Sequence, residues 1–388
     1  MLFRLSKFTV PVAIFGAFLY VYVTPYNNWS GFEYIALTFA LAIYIAITRR
    51  GRIRDISVIA ATLTLGLAGI EAYSIAIEAQ PIDFRSRGYS VSRPILGWGP
   101  ERPGVYHQTK IEARTHQTIY DVDYTIDNDR NRKVDSARSN VAVAFFGDSA
   151  TFGTGLPDTE TLPQLFADLY DRKIHVMNFG FPGYGPQQFL RALETDIFDE
   201  LLNPGSRLFV FETAVWHSER SSCLAGWMLR APRYEMVNGR AVFHGTCIGR
   251  WATMLKQLFA NTALYRVFFG PALGGPSRAD VDLYIGILAR AGELAREKYD
   301  APTLILYMRS DANYLRPSGY TDDEIMQHMR AAGLDVIDVS LNPADFPGRQ
   351  ITFPNDGHPT ALANSIRATM TKAYIERERP GLFAQIGD

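Results

Sequence analysis

The apolar run Val141–Phe146 ends abruptly in Gly147-Asp148-Ser149, and a second glycine, Gly153, follows. A buried strand that delivers a hydroxyl at its carboxyl end, ahead of a helix, is where open α/β sheets place their chemistry. A neutral serine is a weak nucleophile and needs a base. That base is a histidine whose second nitrogen is oriented by a carboxylate or carbonyl. Of the seven histidines, His358 stands in Asn355-Asp356-Gly357-His358-Pro359-Thr360, after the last apolar run and before the last helical pattern. Asp356 is two residues away, and Thr360 is a helix cap by type. Gly, Asp and Ser are also common turn residues, so on composition alone both segments read as turns too.

The elements that must position these residues are legible from Asn140 onward. Continuous apolar runs occur at Val141–Phe146, Ile174–Phe179, Leu208–Thr213, Thr303–Met308 and Leu334–Val339. Helical patterns lie between and after them, at Glu160–Tyr170, Pro186–Leu202, Asp280–Tyr299, Asp322–Ala332 and Pro359–Arg377. Apolar strands separated by helices indicate a parallel sheet covered on both faces. Ser149 and His358 then fall on one rim, the carboxyl ends of the strands. Residues 218–275 interrupt the pattern as an insertion. Within it Asn238-Gly239 joins two short strand patterns, the strongest short hairpin signal. Cys223 and Cys247 bracket that hairpin and either form a disulfide or remain buried thiols. An insertion on the rim side is expected to form one wall of a substrate cleft.

Upstream, residues 81–139 read as a β-rich lead-in without assigned chemistry, with Thr118–Ile126 as a strand and Asp127-Asn128-Asp129 as a turn. Residues 1–80 hold three apolar runs, Phe8–Thr24, Phe32–Thr48 and Ile56–Ile77. A membrane helix needs ~20 predominantly apolar residues, with a lower limit of about 17. Arg4 and Lys7 precede the first run, and Arg49, Arg50, Arg52 and Arg54 follow the second. Cytoplasmic loops carry the excess of Lys and Arg, so three crossings put everything after residue 80 outside the cytoplasm. Glu71, at membrane depth, needs a partner. A net charge of −1 on a chain that is 47% hydrophobic argues against nucleic acid as a partner. No His-x-x-x-His or Glu-x-x-His cluster suggests a metal, and no cofactor is called for.

Residues 140–388 resemble the SGNH hydrolases, the GDSL esterase/lipase superfamily. Gly147-Asp148-Ser149 is similar to the first block, whose serine is the nucleophile. Asn178-Phe179-Gly180-Phe181-Pro182-Gly183 resembles the second, whose glycine, matched by Gly183, donates an N–H to the oxyanion hole. Asp356-Gly357-His358 resembles the last, which supplies acid and base before the C-terminal helix. The resemblance implies a three-layer α/β/α fold with a five-stranded parallel, flavodoxin-like sheet. It implies Ser149, His358 and Asp356 as catalytic residues. Two departures stand out. The third block normally ends its strand with Gly-x-Asn-Asp, whose asparagine donates to the oxyanion, but Glu212–Arg220 contains no asparagine. His217 is the candidate replacement donor or a substrate-binding residue, Asp148 is expected to hold the turn, and Arg220 is either a substrate contact or an ion pair. The last block usually has two residues between Asp and His, and here there is one. The implied activity is hydrolysis of an acyl ester, O-acetyl by preference, on a cell-envelope glycan or lipid. The alternatives are an O-acyltransferase acting on such a glycan and a non-catalytic glycan-binding or assembly module.

Overall fold

The computed structural model describes residues 31–78, 82–86, 88–112, 115–139, 141–202, 206–225, 227–249, 262–270 and 275–383, with Ala13, Gly16 and Phe259 as isolated positions. Two compact units divide the chain. One comprises residues 1–79, 224–229 and 250–274, and the other comprises 80–223, 230–249 and 275–388.

In the first unit, α1 (Gly31–Thr48) and α2 (Arg52–Ile77) are joined by the arginine-rich turn and pack side by side. The expected span at Phe8–Thr24 lies almost wholly outside the described residues. Among the described helices, α2 alone is long and apolar enough to cross a membrane, and α1 is a shorter apolar helix. At 26 residues α2 is about 39 Å long, against a hydrocarbon core of ~30 Å. Glu71 on α2 is fully buried. Its carboxylate accepts the backbone N–H groups of Ala263 and Leu264 at 2.8 and 2.9 Å, which begin a helical run to Gly270. The partner of this buried carboxylate is therefore a set of helix-start donors.

The second unit is built on a sheet of five parallel strands. They are β6 (Ala142–Phe146), β7 (His175–Asn178), β8 (Ser206–Ala214), β11 (Thr303–Met308) and β12 (Asp335–Asp338), in the order β7-β6-β8-β11-β12. The first two strands lie inverted relative to a simple march across the sheet, which is the flavodoxin-like order with its switch point beside β6. Every residue of β6 is buried, as a strand covered on both faces requires. Val143, Phe145, Val210 and Leu306 join Leu162 and Phe166 of α4 (Leu162–Asp168), and Ala368 and Ile375 of α9 (Ala361–Glu378), in one core cluster. The other face carries α5 (Pro186–Glu194) and α7 (Arg278–Tyr299), which pack on each other. The four-residue α3 (Ser149–Phe152) follows β6, α6 (His217–Ser221) follows β8, and α8 (Asp322–Ala331) precedes β12.

The lead-in is β-rich. β1 (Ile82–Ser86), β4 (Gly104–Glu112) and β5 (Thr118–Ile126) form an antiparallel sheet with β4 in the centre, beside a small hairpin of β2 (Ser90–Arg93) and β3 (Gly97–Pro100). Arg132 bridges Ile126 to Asn178 on β7, which ties this sheet to the edge of the parallel one.

Two expectations need correction. Pro186–Leu202 is not one helix. It ends at Glu194 because Asp196, two residues beyond, takes φ +55°, and a separate turn of helix starts at Asp199. The insertion reaches the cleft through Arg220 and not through its hairpin. β9 (Pro232–Val237) and β10 (Arg240–Thr246), joined by Asn238 and Gly239 at φ +51° and +78°, pack on α5 and α7. Cys223 and Cys247 close this segment as a disulfide, their Cα atoms 5.6 Å apart.

Candidate active site

β6 delivers Gly147 and Asp148 to the rim, and α3 starts at Ser149. The turn leaves no room for a side chain at Gly147. A Cβ there would stand 2.1 Å from Thr151 Oγ1. Thr151 is held from below, because its hydroxyl donates to Glu212 Oε2 at 3.0 Å while Arg367 donates to Glu212 Oε1 at 3.0 Å. All three side chains are buried, and they link α3, β8 and α9. Burial pushes the Glu212 carboxyl up, against the pull of Arg367. Asn178, at the end of β7, adds a side-chain donor to Thr151 O at 2.9 Å and accepts from Gly180 N at 3.0 Å.

Ser149 Oγ lies 2.8 Å from His358 Nε2. Thr360 caps α9 and so fixes the entry of the His358 loop. His358 gives both its Nδ1–H and its backbone N–H, the latter at 2.9 Å, to Asp356 Oδ1. With Nδ1 protonated, Nε2 carries the lone pair that accepts the serine O–H. The short spacing between Asp and His is accommodated by the backbone. Asn355 and Gly357 take φ +57° and +85°, which curls Asp356 back onto the ring two residues on. The second carboxylate oxygen, Oδ2, accepts from the ammonium of Lys110 on β4. Burial alone would raise the Asp356 carboxyl; the hydrogen bond and charge of His358, followed by Lys110, outweigh it and hold it well below the usual carboxylate range.

Asp148 is turned away from the serine hydroxyl into a second polar cluster. Its Oδ1 accepts Ala150 N at 2.9 Å as the cap of α3. Its Oδ2 accepts from Arg220 Nη1 at 2.7 Å and from His217 Nε2 at 3.0 Å. Burial works against the Asp148 charge, but Arg220, His217 and Ala150 more than offset it and keep the carboxyl far below its ordinary value. His217 is fully buried, and burial and Arg220 lower its pKa against the pull of Asp148. Its Nε2 lies 3.0 Å from both Asp148 Oδ2 and Arg220 Nη1, and its Nδ1 lies 2.9 Å from the Thr213 hydroxyl, which in turn lies 2.9 Å from Tyr284 OH. The expected role of His217 as oxyanion donor or substrate contact does not match this position, because neither nitrogen is spare. Arg220 is an ion pair with Asp148 and also donates to Tyr184 O at 2.5 Å, which ties the nucleophile turn to the loop containing Gly183. In that loop Tyr184 N bonds Phe181 O at 3.0 Å across Pro182-Gly183, and Gly183 takes φ +83°. Proline followed by a glycine at positive φ is the pattern of a type II turn.

A cavity of about 420 Å³ opens over Ser149 and His358, with Trp216, Arg220, Met308 and Arg309 in its lining. A second cavity of similar volume, lined by Arg93, Leu96, Arg132, Phe181 and Tyr184, holds no nucleophile beside a base. Among the described residues no group of three His, Cys, Asp or Glu side chains could hold a metal ion. Sequence reasoning missed Lys110, Thr151, Glu212, Thr213, Tyr284 and Arg367. The one signal for Lys110 is Gln108-x-Lys110-x-Glu112, three polar side chains on the same, buried face of β4.

The parallel sheet carries the serine after its first strand and the Asp–His pair just before its last helix. The fold is a flavodoxin-like α/β sheet with both motifs on one rim. Among solved structures, the chain is similar to the psychrotrophic esterase EstA from Pseudoalteromonas sp., at 14% identity and a TM-score of 0.37 over 62% of this chain and 99% of that one. It is similar to AlinE4, an SGNH-hydrolase family esterase, at 18% identity and a TM-score of 0.32 over 63% and 100% of the two chains. A carbohydrate acetylesterase family member from Sinorhizobium meliloti matches at 11% identity and a TM-score of 0.33 over 61% and 98%. No protein-family model and no curated protein sequence matches the chain. Likenesses this low do not bear on substrate.

Proposed function

We propose that the protein is a serine esterase that cleaves an acyl ester through Ser149, His358 and Asp356. The observation that carries this reading is the 2.8 Å contact from Ser149 Oγ to His358 Nε2, on a ring whose other nitrogen is committed to Asp356. His358 Nε2 takes the hydroxyl proton as Oγ bonds to the ester carbonyl carbon. Collapse of the tetrahedral intermediate breaks the bond to the alcohol, which leaves with the proton from Nε2. Water then gives a proton to His358 and attacks the acyl-serine, releasing the acid and restoring the hydroxyl. The N–H groups of Ser149 and Gly183 hold the oxyanion in both steps. The Ser149 N–H is in the first turn of α3, where the helix itself makes no use of it. A missing third donor costs ~10²–10³ in rate where its loss has been measured, so turnover is expected to be slow for this chemistry.

The preferred substrate is an O-acetylated glycan or lipid of the cell envelope. Trp216, Arg220 and Arg309 line the cavity, an aromatic side chain and hydrogen-bond donors of the kinds that suit a sugar. We place the catalytic unit outside the cytoplasm, on the arginines at 49–54 and on the Cys223–Cys247 disulfide, which persists in oxidising compartments. A sugar hydroxyl in place of water would make the same acyl-enzyme a transferase. The test is hydrolysis of a short-chain aryl ester by the full chain and by Ser149→Ala, with products analysed with and without an acceptor sugar. Activity that vanishes in Ser149→Ala supports the esterase. Acyl-sugar product supports the transferase. Equal activity in both proteins rejects Ser149 as nucleophile.

A further inference from the structure

We infer that Lys110 is a positioning residue of this reaction: from the lead-in sheet it holds the outer oxygen of Asp356 and tunes when the Asp356–His358 pair takes up a proton. The inference rests on the serine-esterase reading and extends the site to a segment of chain outside the parallel sheet.

Geometry carries it. Asp356 has no exposed side-chain surface and Lys110 is only 5% exposed. Asp356 Oδ1 is filled by the two His358 donors, and Oδ2 by Lys110 Nζ. Lysine is almost never buried without an anion, so this ammonium is there at a desolvation cost that its pairing must offset. Its backbone is held on both sides. β4 is the central strand, with Lys110 opposite Phe84 of β1 and Tyr120 of β5. The Tyr120 ring meets Phe353 edge-on at 6.0 Å, and Phe353 N bonds His358 O at 2.9 Å, so the same strands also clamp the histidine loop. The charged or titratable groups facing Asp356 are His358, Lys110, Tyr120 and Tyr124. Burial raises both tyrosines, which stay neutral at working pH. Lys110 is the lysine or arginine side chain that contacts Asp356 among the described residues.

Its effect has one sign. The working form of the pair is ionised Asp356 with neutral His358. Adding one proton, on either residue, inactivates the base. The two groups share that proton as a coupled pair. A cation beside the pair weakens its hold on the proton, which extends activity to lower pH. Removing the cation must move the acid limb to higher pH. A residue that only fills space would change the plateau and the stability while leaving the limb where it is.

The experiment is the rate of fluorophosphonate labelling of the full chain against pH, in wild type, Lys110→Met, Lys110→Gln, Lys110→Arg and Ser149→Ala. The acid limb of the Met and Gln variants is expected to move up by about one pH unit, a tenfold loss of labelling on the acid flank. Lys110→Arg, which keeps the charge, is expected to return the limb to the wild-type position. If neither neutral variant folds, Lys110→Arg tests the charge requirement alone: a displaced limb or lost labelling overturns the inference. A lowered plateau with an unmoved limb in the Met or Gln variant overturns it as well, leaving the esterase reading intact. A wild type that does not label, or labels equally without Ser149, removes the esterase reading and this inference with it.

Discussion

Asp148 and Asp356 are both buried carboxylates, and each is held ionised by a different set of cations and donors. Asp148 sits against Arg220 and His217, and Asp356 against His358 and Lys110. The folded pKa of each lies below its unfolded value near 4. Each therefore contributes stability that is fully present above that unfolded value and is lost as pH falls through the folded range. Thermal unfolding between pH 6 and pH 2 is expected to show a melting temperature that drops steeply below about pH 4. Asp148→Asn should flatten part of that drop. A melting temperature insensitive to pH in this range contradicts the pairing. Glu212 runs the other way. Burial raises it, so its protonation on acidification relieves a cost. At this scale the sequence showed which residue types could react and missed what orients them. Ser149 stands in a short motif after β6, and Asp356 and His358 in one just before α9. Lys110 lies 246 positions from Asp356, and its local signal, the polar triplet on the buried face of β4, does not say which partner it meets. The role expected for His217 failed for a related reason: its two acceptors and donors, Asp148 and Thr213, come from the ends of different strands.

Among the elements, the turn from β6 into α3 is the one on which the site depends. Gly147 takes φ +156°, and its missing side chain is what lets Thr151 reach Glu212. Gly147→Ala would push Thr151 away from that carboxylate. Overpacking of this kind costs ~1–3 kcal/mol, and the displaced first turn carries Ser149 with it. The expected outcome is a lower melting temperature together with at least tenfold slower labelling by a fluorophosphonate. Wild-type labelling in Gly147→Ala would contradict the tight turn. The five strands were legible because each is a continuous apolar run, and the hairpin because Asn238-Gly239 favours positive φ at both positions. The break after Glu194 was not, since Asp196 adopts its left-handed backbone without a glycine or proline to announce it. The spacing in Asp356-Gly357-His358 departed from the usual block, and Gly357 at φ +85° supplies the curl that compensates.

At the scale of the whole molecule, two units are made from interleaved chain. Residues 250–274 belong with the N-terminal helices although they follow the β9–β10 hairpin in sequence. That grouping was not legible, because it depends on Glu71 meeting Ala263 and Leu264 across 192 and 193 positions. The proposed topology has its own test. Single cysteines placed beyond residue 90 in a background where Cys223 and Cys247 are both alanine should react with an impermeant reagent added outside intact cells. Protection until the cells are lysed would put the unit in the cytoplasm. The central claim is that Ser149 is a nucleophile activated by His358, and intact-mass analysis after fluorophosphonate treatment tests it most directly. The account predicts one adduct per wild-type chain, mapped to Ser149, and none on Ser149→Ala or His358→Ala within the same time. An adduct that maps elsewhere, or forms equally in all three proteins, would contradict it.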